Sequence, residues 1–119
     1  MMAKQSLLQA FKNAFAGIVY CTRFERNIKI QIAAAFIAGG LAWWLKLDRY
    51  EIAILLLTVV IVLVVEMINT VVEAIVDIVS PEFHPLAKIA KDIAAGAVLI
   101  SAACSLLVGY LLFSGKIWS

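Results

Sequence analysis

The chain has 119 residues, of which 65% are apolar and only 15% charged, with a net charge of +2. Soluble domains carry about 25% charged residues, and a chain this short hides only roughly two-thirds of the surface its unfolded form exposes. That many apolar side chains point to a bilayer as the solvent, and exclude a disordered tail, a disulfide-rich secreted module and a strongly basic nucleic-acid binder.

The first expected element is an amphipathic helix over about residues 4–27. Leu7, Leu8, Phe11, Phe15, Ile18 and Val19 recur at helical spacing, with Lys4, Gln5, Gln9, Lys12 and Asn13 around the opposite side. Such a helix suits the membrane interface. A soluble bundle helix would need a soluble core that the rest of the chain does not supply. The N-terminus lacks the basic n-region, uninterrupted apolar h-region and small-residue cleavage site of a signal peptide, so insertion is expected to use the spans themselves.

Three spans follow, over about residues 30–47, 52–79 and 93–115, the last without a single charge. Each reaches, with its flanks, the roughly 20 residues a bilayer requires. Lys4, Lys12, Arg23, Arg26 and Lys29 precede the first span, and Lys88 and Lys91 lie between the second and third. Only Lys46, Arg49 and Lys116 lie on the other side, so the N-terminus and second loop are expected in the cytoplasm of a multi-pass cell-membrane protein. Trp43, Trp44, Tyr50 and Trp118 then form an aromatic belt at the outer interface. In the second loop, Ser80 is expected to cap a helix opening at Pro81, with a further break at Pro85. Cys21 and Cys104 read as packing residues, and Gly39, Gly40 and Gly96 as close contacts between spans.

The chemistry lies in the second span. Glu66, Asn69, Glu73 and Asp77 fall at about 0, 300, 340 and 20 degrees around a helix, a stripe roughly 80 degrees wide. Ionisable residues at membrane depth are costly and usually face a protein or water-filled interior. Glu66 is about 16 Å from Asp77 along the axis, so one face can meet a lipid headgroup at one end and an aqueous solute at the other. Glu25, just before the first span, can share a hard divalent ion with Glu73 if the two segments pack. Magnesium on a nucleotide typically needs only one or two protein carboxylates. Lys91 and Asp92 add a phosphate-binding charge and an acceptor for ribose or adenine. Metal, cation and a carboxylate to deprotonate a hydroxyl are the parts of phosphoryl transfer.

Two other readings compete. A buried acid can be the structural partner of Arg23 or Arg26. Membrane carboxylates also relay protons, so a small ion- or proton-conducting channel or transporter subunit is the alternative from another class. Against it, the first and third spans carry no acids. His84 by itself reads as a turn or packing residue. The Gly109 to Gly115-Lys116 run is no phosphate loop, because its glycine spacing is wrong and no strand precedes it.

The run Glu66-Met-Ile-Asn69-Thr-Val-Val-Glu73-Ala-Ile-Val-Asp77, followed by Ser80-Pro-Glu-Phe-His84-Pro-Leu-Ala-Lys88-Ile-Ala-Lys91-Asp92, resembles the small prokaryotic diacylglycerol kinase family, which includes undecaprenol kinases. The resemblance implies an all-α homotrimer of three-span chains, each with an N-terminal surface helix, and active sites at the cytoplasmic interface between protomers. It implies ATP as phosphoryl donor, Mg2+ as cofactor and a membrane lipid alcohol as acceptor. By position, Glu66 takes the role of general base, and Glu25 and Glu73 those of the magnesium-nucleotide carboxylates. Lys91, Asp92, Glu82 and His84 match nucleotide-contacting positions bordered by Asp77, and Asn69 positions the substrate or Glu66. Asn13-Ala14 stand where the proteobacterial branch has Tyr-Ser. The Arg23–Lys29 and Pro81–Lys88 runs are more similar to the undecaprenol-directed branch, which favours undecaprenol modestly over diacylglycerol.

Overall fold

The computed structural model describes residues 6–118, which form four helices and, among the described residues, no strand. The helices are α1 (Leu7–Phe24), α2 (Arg26–Trp44), α3 (Arg49–Val79) and α4 (Pro85–Ile117). Lys4 and Gln5, the first residues of the expected surface helix, lie outside the described residues.

Local chemistry sets each boundary. Ser6 caps α1, its hydroxyl accepting the Gln9 N–H at 3.1 Å. One extended residue, Glu25 (φ −98°, ψ 113°), separates α1 from α2. α1 and α2 are therefore almost continuous, and α2 covers 26–44 in place of the expected 30–47. Its early end is a Schellman turn: the Lys46 N–H bonds Trp43 O at 3.3 Å and the Leu47 N–H bonds Ala42 O at 3.0 Å. Lys46 takes the left-handed conformation this turn requires (φ 57°), and Leu47 is buried beneath it. The apolar pattern runs on through the turn, which is why hydropathy placed the end too late. Asp48 and Glu51 then form a reciprocal capping box, both bonds 2.9 Å, at the start of α3. The Glu51 N–H holds the Asp48 carboxyl below its ordinary pKa.

The second loop corrects the expectation for Ser80. No helix opens at Pro81. Ser80 ends α3, and its hydroxyl donates to Glu82 O at 2.9 Å. The next helix opens at Pro85, capped by His84, whose Nδ1 accepts the Leu86 N–H at 3.1 Å. Proline at the first helical position loses no hydrogen bond, so Pro85 starts a helix where Pro81 lies in the turn.

α3 and α4 pack most extensively, α2 lies against α3, and α1 touches α2 only lightly. Two ion pairs fix the α3–α4 hairpin: Asp77 with Lys91 at one end, and Glu51 with Lys116 (3.0 Å) at the other. Glu51 and Asp77 are 26 positions apart on α3, and Lys91 and Lys116 are 25 apart on α4. The rises are nearly equal, roughly 38 Å at 1.5 Å per residue, which exceeds the ~30 Å hydrocarbon core of a bilayer and falls within its headgroups. Both helices are long and apolar enough to cross a membrane, and almost none of their most apolar stretches is buried. Because the Glu51–Lys116 pair is partly solvated, Lys116→Met is expected to cost less than about 1 kcal/mol in reversible unfolding from micelles.

The surface is not that of a water-soluble chain. It exposes 9313 Å², against roughly 6,300 Å² for a compact soluble monomer of 13.0 kDa. The α1 residues Leu7, Leu8, Phe11, Phe15, Ile18 and Val19 are all exposed, so no protein core covers that face among the described residues. Cys21 packs as expected, whereas Cys104 is exposed. A Cβ added at Gly39, Gly40 or Gly96 meets no atom within 4 Å, so these glycines do not mark close helix contacts within the chain.

Candidate active site

The buried polar side chains are as informative as the exposed apolar ones. Among the described residues they are Glu66, 2% exposed, and Asn69, 7% exposed, both on the carboxylate stripe of α3. One helical turn toward the loop Glu73 is exposed, and a further turn on so is Asp77. The stripe therefore passes from buried to solvated along a single helix face.

Glu66 is enclosed by the α1–α2 junction. Asn27 of α2 and Asn69 of its own helix face its carboxyl group, and the carboxylates of Glu25 and Glu73 lie close enough to act on it electrostatically. Asn69 Nδ2 donates to Glu73 Oε1 at 3.0 Å. Thr70 Oγ1 lies 2.9 Å from Glu25 Oε1 and 3.1 Å from Glu66 O. Two acceptors in this cluster have no hydrogen-bond partner within the chain: Glu66 Oε2 and Asn69 Oδ1. A buried acceptor left unpaired costs about 1–3 kcal/mol, so the pair favours a ligand that brings a hydrogen-bond donor. An alcohol does. Among the described residues, neither Arg23 nor Arg26 forms an ion pair with any acid of the stripe, and Arg23 instead lies over the Phe24 ring at 5.7 Å.

A second group forms where α3, the loop and α4 meet. Asp77, Glu82, His84, Lys88, Lys91 and Asp92 line one cavity of about 390 Å³, with Val76, Phe83 and Ala87 adding apolar surface. Lys91 reaches Asp77, and Lys88 pairs with Asp92 at 2.7 Å. Glu73 attracts Lys91 electrostatically, which joins the two groups into one acidic and basic surface. A larger apolar cavity of about 530 Å³ lies between α2, α3 and α4, one turn from Glu66 at Val62, and holds no carboxylate or ammonium group.

All the residues singled out by spacing and motif thus fall into these two adjoining groups. Three more belong with them. Thr70 lies only about 40 degrees from Glu66 on the helical wheel, and counting hydroxyls with the acids would have found it. Lys88 is four residues before Asp92, a spacing that pairs side chains on one helix face. Asn27 carried no such signal, because its approach to Glu66 depends on how α2 packs on α3.

Glu25 and Glu73 supply hard oxygen donors beside the same buried carboxylate, a donor set suited to magnesium, and Asn69 Oδ1 adds an unpaired neutral oxygen. Among the described residues no three acids, histidines or cysteines gather into a metal cluster of their own, but magnesium on a nucleotide typically takes only one or two protein carboxylates, and Glu25 and Glu73 are of the type that can supply them.

An all-helical membrane protein with acids graded from buried to solvated along one helix is a narrow class, and the comparisons with known proteins resolve it. The family model for prokaryotic diacylglycerol kinase matches residues 12–113. The chain is 40% identical to a diacylglycerol kinase of Synechocystis over 87% of its own length and 60% of that protein's. It is 37% identical to the undecaprenol kinase of Bacillus subtilis over 92% of this chain and 89% of that enzyme. It is 34% identical to the diacylglycerol kinase of Escherichia coli over 80% and 75%. The chain belongs to the prokaryotic diacylglycerol kinase family, a family of lipid kinases.

Proposed function

We propose that this protein transfers the γ-phosphoryl group of ATP to the primary hydroxyl of a membrane lipid alcohol. The observation that carries the reading is the buried Glu66 with an unpaired Oε2, at the inner end of a stripe whose other end is solvated. A lipid hydroxyl entering from the membrane donates to Glu66 Oε2. Its oxygen forms the new bond to the γ-phosphorus as the bond to the β–γ bridging oxygen breaks, its proton passes to Glu66, and ADP leaves. Asn69 holds Glu66 and Glu73 in register through its amide.

Glu25 and Glu73 would hold the magnesium that neutralises charge on the β- and γ-phosphate oxygens. Lys91 draws the phosphates toward the end of α3, and the cavity of Asp77, Glu82, His84 and Asp92 accepts the nucleoside. In this reading the nucleotide site lies in the cytoplasm, with α1 on the membrane surface, α2 as a third span beside α3 and α4, and three chains per molecule. The exposed apolar surface supports association with lipid and with further copies.

Undecaprenol is placed ahead of diacylglycerol on the Arg23–Lys29 and Pro81–Lys88 runs, while identity to the two kinds of relative is nearly equal at 37 and 40%. The deciding experiment supplies labelled ATP and magnesium with each alcohol in mixed micelles. Phosphorylated lipid is expected with both, and more from undecaprenol. Absence of any lipid-dependent product, together with ion flux in liposomes, would overturn the kinase reading in favour of transport.

A further inference from the structure

Glu25 occupies an unusual place in the backbone. It is both the residue that ends α1 and the one that caps α2, yet its carboxylate makes no side-chain hydrogen bond to the N-terminus of α2. At an N-cap an acid ordinarily accepts the N–H of one of the following two or three residues. Here the carboxylate crosses to α3, where Thr70 Oγ1 lies 2.9 Å away. The two residues are 45 positions apart in sequence, so the contact is wholly tertiary.

Thr70 has two acceptors in reach and one proton to give. Glu66 O, one turn back on its own helix, is 3.1 Å away; Glu25 Oε1 is nearer. The backbone carbonyl already accepts in the helix, whereas a charged acceptor makes a hydrogen bond roughly twice as strong as a neutral one. The proton therefore goes to Glu25. Threonine in a helix has few χ1 choices, so its hydroxyl is a stiff support.

We infer that Thr70 is a positioning residue for Glu25: by donating to Oε1 it fixes the carboxylate, at a one-residue break between two helices, in the orientation from which it serves the magnesium-nucleotide complex. The same side chain sits on the turn that follows Glu66, so the break between α1 and α2 is tied to the helix that carries the base. This rests on the proposed role of Glu25 and extends it to a residue that touches neither substrate.

The test compares Thr70→Val, which keeps the β-branched shape and loses the hydroxyl, with Thr70→Ser, which keeps the hydroxyl. Binding of magnesium with a non-hydrolysable ATP analogue is measured by calorimetry in micelles, alongside kcat and KM for magnesium-ATP and for the lipid alcohol. Thr70→Val is expected to raise Kd and KM for the nucleotide complex about tenfold, the loss of one such hydrogen bond. The lipid KM and the melting temperature should change little, and Thr70→Ser should restore wild-type values. In a Glu25→Gln background, Thr70→Val should add almost nothing, because the two substitutions remove one interaction. Unchanged nucleotide affinity in Thr70→Val, or equal losses in both Thr70 variants, overturns the assignment. If Glu25→Gln alone leaves nucleotide affinity intact, the role of Glu25 fails; if it weakens affinity and Thr70→Val does not, only the role of Thr70 fails.

Discussion

Glu66→Gln is expected to lower kcat by about 100- to 10,000-fold, the range over which a positioned general base contributes. Affinity for magnesium-ATP should stay within roughly twofold, because the lost carboxylate acts on the lipid hydroxyl and its contribution is made in the transition state. The stability effect has the opposite sign. Glu66 is 2% exposed and its Oε2 is unpaired, as is Oδ1 of Asn69, one turn on along the same helix. The amide introduced by the substitution puts N–H donors where the unpaired Oε2 stood, leaves Asn69 Oδ1 as the one unpaired acceptor of the cluster, and removes a charge from a buried position. The melting temperature in micelles should therefore be equal to that of the wild type or higher. A residue retained for chemistry at a cost in stability behaves this way. Turnover near the wild-type level in a folded Glu66→Gln protein would remove Glu66 from the mechanism.

Glu73→Gln should fail differently. Glu73 is exposed to solvent, accepts from Asn69 Nδ2 at 3.0 Å and attracts Lys91 from the neighbouring helix. Even groups that merely support metal ligands typically contribute 10- to 100-fold in affinity, so loss of a proposed ligand should weaken magnesium-nucleotide binding by at least about tenfold. The activation curve should move to higher magnesium, and part of the activity should return at saturating metal. Calorimetry with the non-hydrolysable analogue reads this without turnover. An unchanged dissociation constant would count against metal ligation by Glu73. The contrast between the two variants is the useful result, because one is predicted to bind without reacting and the other to react once binding is forced.

Burial explains why one helix face yields such different side chains. Glu66 and Glu73 are seven residues apart on nearly the same azimuth, but α2 and the α1–α2 junction cover only the first. The capping box at Asp48 and the ion pair at Lys116 lie far from the chemistry and hold α3 and α4 in register, while the helix start at Pro85 borders the second cavity through His84. That register brings Lys91 to Asp77, and so places the cationic end of α4 beside the solvated end of the stripe.

The spacing of Glu66, Asn69, Glu73 and Asp77 was legible in the sequence because helical periodicity is a local property: once α3 is a helix, those side chains must share a face. Hydropathy likewise determined the apolar helices, and the motif run determined the family. Helix ends were less legible. The turn at Lys46 lies within an apolar run, and the choice between Pro81 and Pro85 as a helix start depends on which neighbour supplies a cap. Only the tertiary structure decided which acid is buried, that Asn27 faces Glu66, and that the carboxylate of Glu25 is held by Thr70 in preference to its own helix. These depend on where α2 lies against α3, a relation between segments about 40 residues apart. Local pattern fixes what a helix presents, and packing fixes what that face meets.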